Sequence, residues 1–504
     1  MQEAKREGIE VAAYSEERLA ELISEATGAP VEEVRSKSQF AYLVEYLGHF
    51  SSDAGGLTLV LEWQYTDRDF IEDYSAYYVR CFQGKYRSTC SRIHFFAVAL
   101  DRRKFRSIVL GRMSARTEKS LADSYLGFIV LKPLPQTFFG RTCLKTYEGV
   151  NRRNYPVTRE YEAHLLGLTF RYPSLAFQEQ DRVAAACATS ALWSCLQGTA
   201  KLFQHKIYSP VEITKIATDQ FPELHRAFPN EGLTTRQMAA AIRRVGLEPE
   251  TIGVAREATL QATAYAYLRA KIPLLLNVAL FEAANPAKAR PYRNDWASGH
   301  AVAVTGFSLG KAVAQPYPGT DTRLRASRID KLYVHDDQVG PFARLKLNGP
   351  PLKAARNGEV ADVPFTLESS WPAESRTATV YFAPFALIVP LYHKIRIKFD
   401  TVLSWVLCLD NTLSSMNLKH ARAVKQLEWE VYLTTEAEFH RDIREAVGLS
   451  PSRRWRILER QLPRFIWRAT GFRGKDALLD FIFDATDIDQ GNFLLETIHY
   501  EKEG

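Results

Sequence analysis

Hydrophobic and polar positions follow two rhythms along this chain. Near the N-terminus, apolar side chains recur every three or four positions over residues 15–26 and 30–47, which predicts two amphipathic helices. Ser15 is placed to cap the first, and Glu16 and Glu17 suit its positive end. After a Gly-rich turn at 53–56 the rhythm shortens to strand alternation at 57–63. Residues 93–100, 107–111 and 125–131 also read as strands, and the aromatic-rich stretch 67–82 reads as helix. Lys132-Pro133-Leu134-Pro135 ends the last strand. Residues 1–150 are therefore expected to form an N-terminal α+β domain, and no catalytic constellation is visible in it.

The texture then changes. A helix around Cys187 is followed by a second at 234–245, introduced by Gly232, and then by strands at 273–280, 300–307 and 331–335. A helical front and a stranded back in that order predict one compact domain over 165–350. The stretches 282–298 and 311–327, rich in Ala, Pro and Arg, read as connections. Beyond residue 350 a strand-like stretch at 377–399 precedes a mostly helical tail. The expected class is α+β: a central domain, 165–350, flanked by the N-terminal domain and by a mainly helical C-terminal region, 351–504.

Composition narrows the setting. With 504 residues and 46% hydrophobic content the chain can bury several cores, and 24% charged residues argue against broad disorder. The net charge of +7 is mild for this length and demands no nucleic-acid partner. The opening residues are charged where a signal peptide needs an apolar run. The apolar stretch 381–392 is about half of a ~20-residue membrane span and is broken by Pro384 and Pro390. A soluble, cytoplasmic protein with no membrane partner is expected. The six cysteines, Cys81, Cys90, Cys143, Cys187, Cys195 and Cys408, form no paired CxxC knuckles, which argues against a zinc ribbon and a disulfide framework. Neither cofactor nor metal is expected. Residues 453–475 hold eight Lys and Arg against one acidic residue, Glu459. Arg453, Arg456 and Arg460 share a helical face opposite Trp455, Leu458 and Leu462. That face suits nucleic acid, an acidic partner or anionic lipid; a solvated basic face on a packed helix is the simpler reading, so nucleic acid is not the favoured partner.

Three segments carry candidate chemistry. In Gln178-Glu-Gln-Asp-Arg-Val-Ala-Ala-Ala-Cys187-Ala-Thr-Ser-Ala-Leu-Trp193, small residues crowd the cysteine on both sides. A thiol in the first turn of a helix faces the positive end of the dipole, which favours the nucleophilic thiolate. In Ser298-Gly-His300-Ala-Val-Ala-Val-Thr-Gly306, a histidine opens an apolar strand, placed to take a proton from a thiol across a cleft. In Leu332-Tyr-Val-His-Asp336-Asp337-Gln-Val-Gly-Pro341, a short strand ends in carboxylates that suit the other imidazole nitrogen. If the strand continues, Asp336 and Asp337 point to opposite sides and only one faces His300. Asp336, first after the apolar run, is the choice. Each segment has a plainer reading: a core cysteine, a structural histidine, a pair of turn residues. Ser190 as a serine nucleophile lacks an elbow context, and His300, His335 and the Asp pair match no common metal spacing.

Taken together the order resembles papain-like cysteine peptidases: Cys, then a Gly-His strand, then a strand ending in Asn or Asp. It is most similar to the bacterial branch typified by bacteriocin-leader peptidases, which implies such a domain inside a larger multidomain bacterial protein. The Gly232–Gly246 run GLTTRQMAAAIRRVG also looks like that branch's second helix. The resemblance covers about a third of the chain. It implies a Cys187–His300–Asp336 triad with a glutamine completing the oxyanion hole, Gln180 in preference to Gln178. Gln180 lies seven residues before the cysteine where six is usual, and Ala188 replaces the usual glycine after it. The implied activity is hydrolysis of a peptide or isopeptide bond in a protein or peptide substrate. The N-terminal module or the tail is expected to pack beside the cleft and narrow it, with a regulating protein partner or a ligand favouring an open form. An effector role in stress or phage defence rests on analogy alone. Acyl transfer or deamidation with the same triad, and a papain-like module that only binds, are the alternatives.

Overall fold

The structure is a computed structural model that describes residues 8–51, 55–147, 152–181, 186–219, 232–291, 299–356, 359–371, 378–415, 427–488 and 493–500. Helix and strand occur in near-equal measure.

Five strands near the N-terminus, Ile9–Ala13, Thr58–Tyr65, Cys90–Phe96, Tyr125–Leu131 and Phe139–Leu144, form an antiparallel sheet in chain order. Alternate residues go to opposite faces. Leu59, Leu61, Ile93, Phe95 and Ile129 pack in one core with Leu19, Ile23, Phe40 and Leu47 of the N-terminal helices. Val60, Phe96, Phe128 and Val130 belong to a second core, shared with Leu192, Trp193 and Leu196 of the Cys187 helix. Both faces are covered, which is why these strands read as nearly continuous apolar runs.

The first helix, Glu16–Thr27, is capped as expected: the Ser15 hydroxyl accepts the Arg18 N–H at 3.0 Å, and Gly28 ends it at φ 80°. The expected second helix is two, Val31–Ser36 and Ser38–Ser51, parted at Lys37, whose backbone is extended. The strand expected at 107–111 is instead the end of a helix, Arg102–Val109, capped by Asp101. Phe105 and Ile108, three apart, supply its buried face; a short apolar run fits either period, and the cap decides.

The central sheet has nine strands. The Leu274–Ala283 strand pairs along one edge with Gly299–Leu309 and along the other with Thr379–Tyr392. From Gly299–Leu309 the sheet runs through Ile329–Asp336, Gly340–Gly349 and Thr366–Glu368 back to Thr379–Tyr392. Six antiparallel strands thus return on themselves as a barrel. Val278, Val302, Val304, Leu332, Val334, Leu345, Phe382 and Leu387 belong to its core. The sheet continues past residue 350, so the strand expected at 377–399 is a barrel member that ends at Tyr392. Phe399 already begins the next helix, Phe399–Ser415.

Against the outside of the barrel lies the Cys187–Phe203 helix, buried from Ala188 through Ala200. Gly198 lets it approach closely: a Cβ there would stand 3.0 Å from Val157 and 3.3 Å from Pro273.

The C-terminal region is not mainly helical. Strands Glu428–Thr435, Phe465–Arg473, Asp476–Asp484 and Leu494–His499, with Arg323–Leu324, make a five-stranded sheet carrying helices Glu436–Glu445 and Pro451–Leu458. Aromatic and β-branched residues such as Phe465, Ile466, Trp467 and Thr470 favour the strand. No helix among the described residues is long and apolar enough to cross a membrane.

Gly306 shows how tightly the histidine strand is held. A Cβ there would meet the Asn154 carbonyl oxygen at 2.4 Å. Gly306→Ala is expected to cost about 1–3 kcal/mol, read as a lower thermal midpoint of the full chain; an unchanged midpoint would show that the 153–154 segment yields freely.

Candidate active site

Cys187 is the first residue of its helix and half-buried. The N-cap, Ala186, offers no side-chain acceptor, and no acidic residue lies in the first turn. The first intrahelical bond to the cap runs from Ser190 N–H to the Ala186 carbonyl at 3.0 Å. The N–H groups ahead of it have no acceptor within the helix and face outward with the positive end of the dipole.

His300, second residue of Gly299–Leu309, is buried. Its Nε2 lies 3.2 Å from Asp336 Oδ1, and the Cys187 side chain is close enough to add to the ring's basicity. Asp336 ends the Ile329–Asp336 strand. The Gln338 N–H donates to Asp336 Oδ1 at 3.1 Å, and the Val339 N–H to its carbonyl at 2.9 Å. The strand therefore stops at Asp336 in a turn, and the expected alternation of the two aspartates does not hold: Asp337 Oδ1 also approaches His300 Nε2, at 3.9 Å.

Two aromatic rings enclose the imidazole edge-on, Trp371 at 4.9 Å and Phe382 at 5.7 Å between centroids. The Trp371 indole N–H donates to Asp336 Oδ2 at 2.5 Å. Sequence reading missed Trp371; its one signal is a large aromatic residue in the polar run Ser369-Ser370-Trp371-Pro372. Gln39 was missed as well. It reaches in from the Ser38–Ser51 helix and donates its Nε2–H to the Asp337 carbonyl at 2.6 Å.

Burial disfavours the imidazolium of His300, yet the Asp336 carboxylate and the Cys187 side chain outweigh it and hold the ring well above its usual 6.5. Burial pushes the Asp337 carboxyl up to about 7, opposed by His300 and reinforced by Asp336. Its Oδ1 has no hydrogen-bond partner among the described residues. Of the two glutamines, Gln180 is half-buried, whereas Gln178 is buried with its Nε2 unpaired among the described residues.

His335 does not join the site. It packs against Phe342 at 4.7 Å and Phe177 at 5.9 Å, and burial pushes it down to about 3. Ser190 is buried one turn below Cys187. Ligand atoms of His300, Asp336 and Asp337 lie within 4.8 Å of one another, a set that a divalent ion could use.

No protein-family model matches the chain, and no curated protein matches it significantly.

For a carboxyl raised from 3.8 to about 7, the stabilising contribution is full below about pH 4 and lost as pH rises through about 7. Asp337→Asn keeps the shape without the titration. Its thermal midpoint relative to the parent is therefore expected to rise by several degrees between pH 5 and 8; a constant difference across that range would show that Asp337 does not titrate there.

Proposed function

We propose that this chain is a papain-like cysteine peptidase that hydrolyses a peptide or isopeptide bond. The observation that carries the reading is the buried His300–Asp336 hydrogen bond with the half-buried Cys187 acting on the same ring, assembled from a helix N-terminus and two adjacent barrel strands. Nε2 of His300 is taken by Asp336, so Nδ1 is the nitrogen left for the thiol. In the cycle His300 accepts the Cys187 proton, and the thiolate adds to the substrate carbonyl carbon. The resulting oxyanion is held by the Cys187 N–H and a glutamine side-chain amide. Collapse breaks the C–N bond, and the leaving amine takes the proton from His300. Water then gives a proton to His300 and its hydroxyl to the thioester; the acid departs and the thiol regains its proton. Asp336 holds the ring orientation and stabilises the imidazolium. Trp371 covers the His300–Asp336 hydrogen bond and satisfies the second carboxylate oxygen. The Nε2 of Gln178, unpaired among the described residues, favours that residue over Gln180 as the oxyanion donor.

A mechanism-based thiol probe tests the assignment: labelling by the full chain is expected to vanish in Cys187→Ala, and labelling that persists would overturn it. Product mass spectrometry then reads cleavage, as opposed to the one-dalton gain of a deamidated glutamine.

On a cleaved peptide, Asp336→Asn is expected to lower kcat by about two orders of magnitude and Asp337→Asn by far less. Trp371→Phe, which keeps a ring and loses the charge-assisted hydrogen bond, is expected to lower kcat about tenfold. Gln178→Ala should lower kcat more than Gln180→Ala, and turnover should be insensitive to EDTA. The reverse order for the two aspartates would reassign the orienting carboxylate.

A further inference from the structure

A cavity of about 340 Å³ lies where the N-terminal unit meets the barrel, between the Ser38–Ser51 helix and the Gly340–Gly349 strand. Its wall carries Tyr42, Tyr147, Tyr155 and Tyr333, and its cations include Arg35 and Arg153. Of the other charged groups around it, Arg344 is paired with Glu45 at 2.6 Å, and Lys37 is paired with Glu179. Arg35 and Arg153 have no carboxylate partner among the described residues. The Arg153 guanidinium stands 5.0 Å from the Tyr147 ring centre; the Tyr155 and Tyr333 rings lie 4.9 Å apart. Two uncompensated guanidiniums beside several tyrosine rings form an environment for a small molecule that joins an anion to a planar ring. The guanidinium fork matches pairs of phosphate oxygens, and tyrosine faces stack on a base. The volume sits at the small end of ligand pockets, which suits one nucleotide and leaves no room for a peptide segment.

The same wall reaches the candidate catalytic site. Val339 lines the cavity, and a Cβ on Gly340 would stand 2.8 Å from the Tyr42 ring. Val339 and Gly340 close the turn that begins at Asp336, and the Val339 N–H holds the Asp336 carbonyl at 2.9 Å. Gln39, on the same helix as Tyr42, holds the Asp337 carbonyl. A molecule filling the cavity would therefore press on the turn that carries both aspartates.

We propose that this cavity binds a nucleoside monophosphate and that its occupancy changes the reactivity of the Cys187–His300–Asp336 line. The second half rests on the peptidase reading; the first does not, and binding is measured without turnover. The full chain is titrated calorimetrically with AMP, GMP, CMP, UMP and inorganic phosphate. At least one nucleotide is expected to bind, and more tightly than phosphate. Arg35→Gln, at an exposed position, should weaken it, and Arg35→Gln with Arg153→Gln should weaken it by about tenfold or more. No binding by any of the four, binding no tighter than that of phosphate, or undiminished affinity in both variants would overturn the site. The alkylation rate of Cys187 by iodoacetamide, measured by peptide mass spectrometry with and without the bound nucleotide, reads the coupling. A several-fold change is expected in the parent, and none in Arg35→Gln at a nucleotide concentration that leaves that variant empty. An unchanged rate in the saturated parent would overturn the coupling while leaving the site, and the peptidase reading, standing.

Discussion

The register between the Gly299–Leu309 and Ile329–Asp336 strands is the constraint on which the rest depends. Ala303 pairs with His335 and Val304 with Val334. That alignment makes His300 and Asp336 diagonal neighbours on one face, close enough for side chains to meet. A slip of one residue would turn Asp336 into the position of His335, which packs among aromatic rings on another side. The register is held by apolar burial along both strands and by the tight passage of Gly306 beside Asn154. The helix that brings Cys187 is seated on the outside of the same strands. One alignment thus brings His300 and Asp336 together beneath the helix that starts at Cys187.

Burial sets the electrostatics of the site. An imidazole fully removed from water would ordinarily be neutral, as His335 is. His300 differs because the Asp336 carboxylate holds its Nε2 and the Cys187 side chain adds to the pull on its proton. A second carboxylate at 3.9 Å cannot ionise as cheaply, and Asp337 carries that cost. Neighbouring residues of the same type therefore play different parts, decided by which one receives the Trp371 indole and the Gln338 backbone N–H.

Much of this was legible in the chain. Cys187 at the start of a helix, His300 at the head of an apolar strand and Asp336 at the end of another each sit at an element boundary that local pattern marks, and the resemblance joined them into one group. Trp371 and Gln39 were not legible, because their roles come from distant chain meeting the site, and no local period encodes that. The paired approach of Asp336 and Asp337 was hidden because alternation assumes a strand that runs on, whereas the turn begins at once. The run at 107–111 was misread because a few apolar residues satisfy both periods, and the Asp101 cap lies outside them. The C-terminal sheet was missed because its Arg-rich strands, with Arg468 buried against Asp480 at 2.7 Å, look like a polar helix face until the acidic partner is in place.

Closure of the barrel has a consequence for the order in which the protein is made. The Leu274–Ala283 strand gains its second partner only from Thr379–Tyr392, and the indole over Asp336 comes from residue 371. On the ribosome, the cysteine, histidine and aspartate all emerge before the strand that closes the cylinder around them. Until that strand arrives, Leu274–Ala283 and Thr366–Glu368 each lack a neighbour on one edge. The surroundings of Cys187, His300 and Asp336 are therefore completed only once residues 371–392 have been made, and a nascent chain that stalls between Asp336 and Trp371 carries the three side chains without the indole or the closing strand.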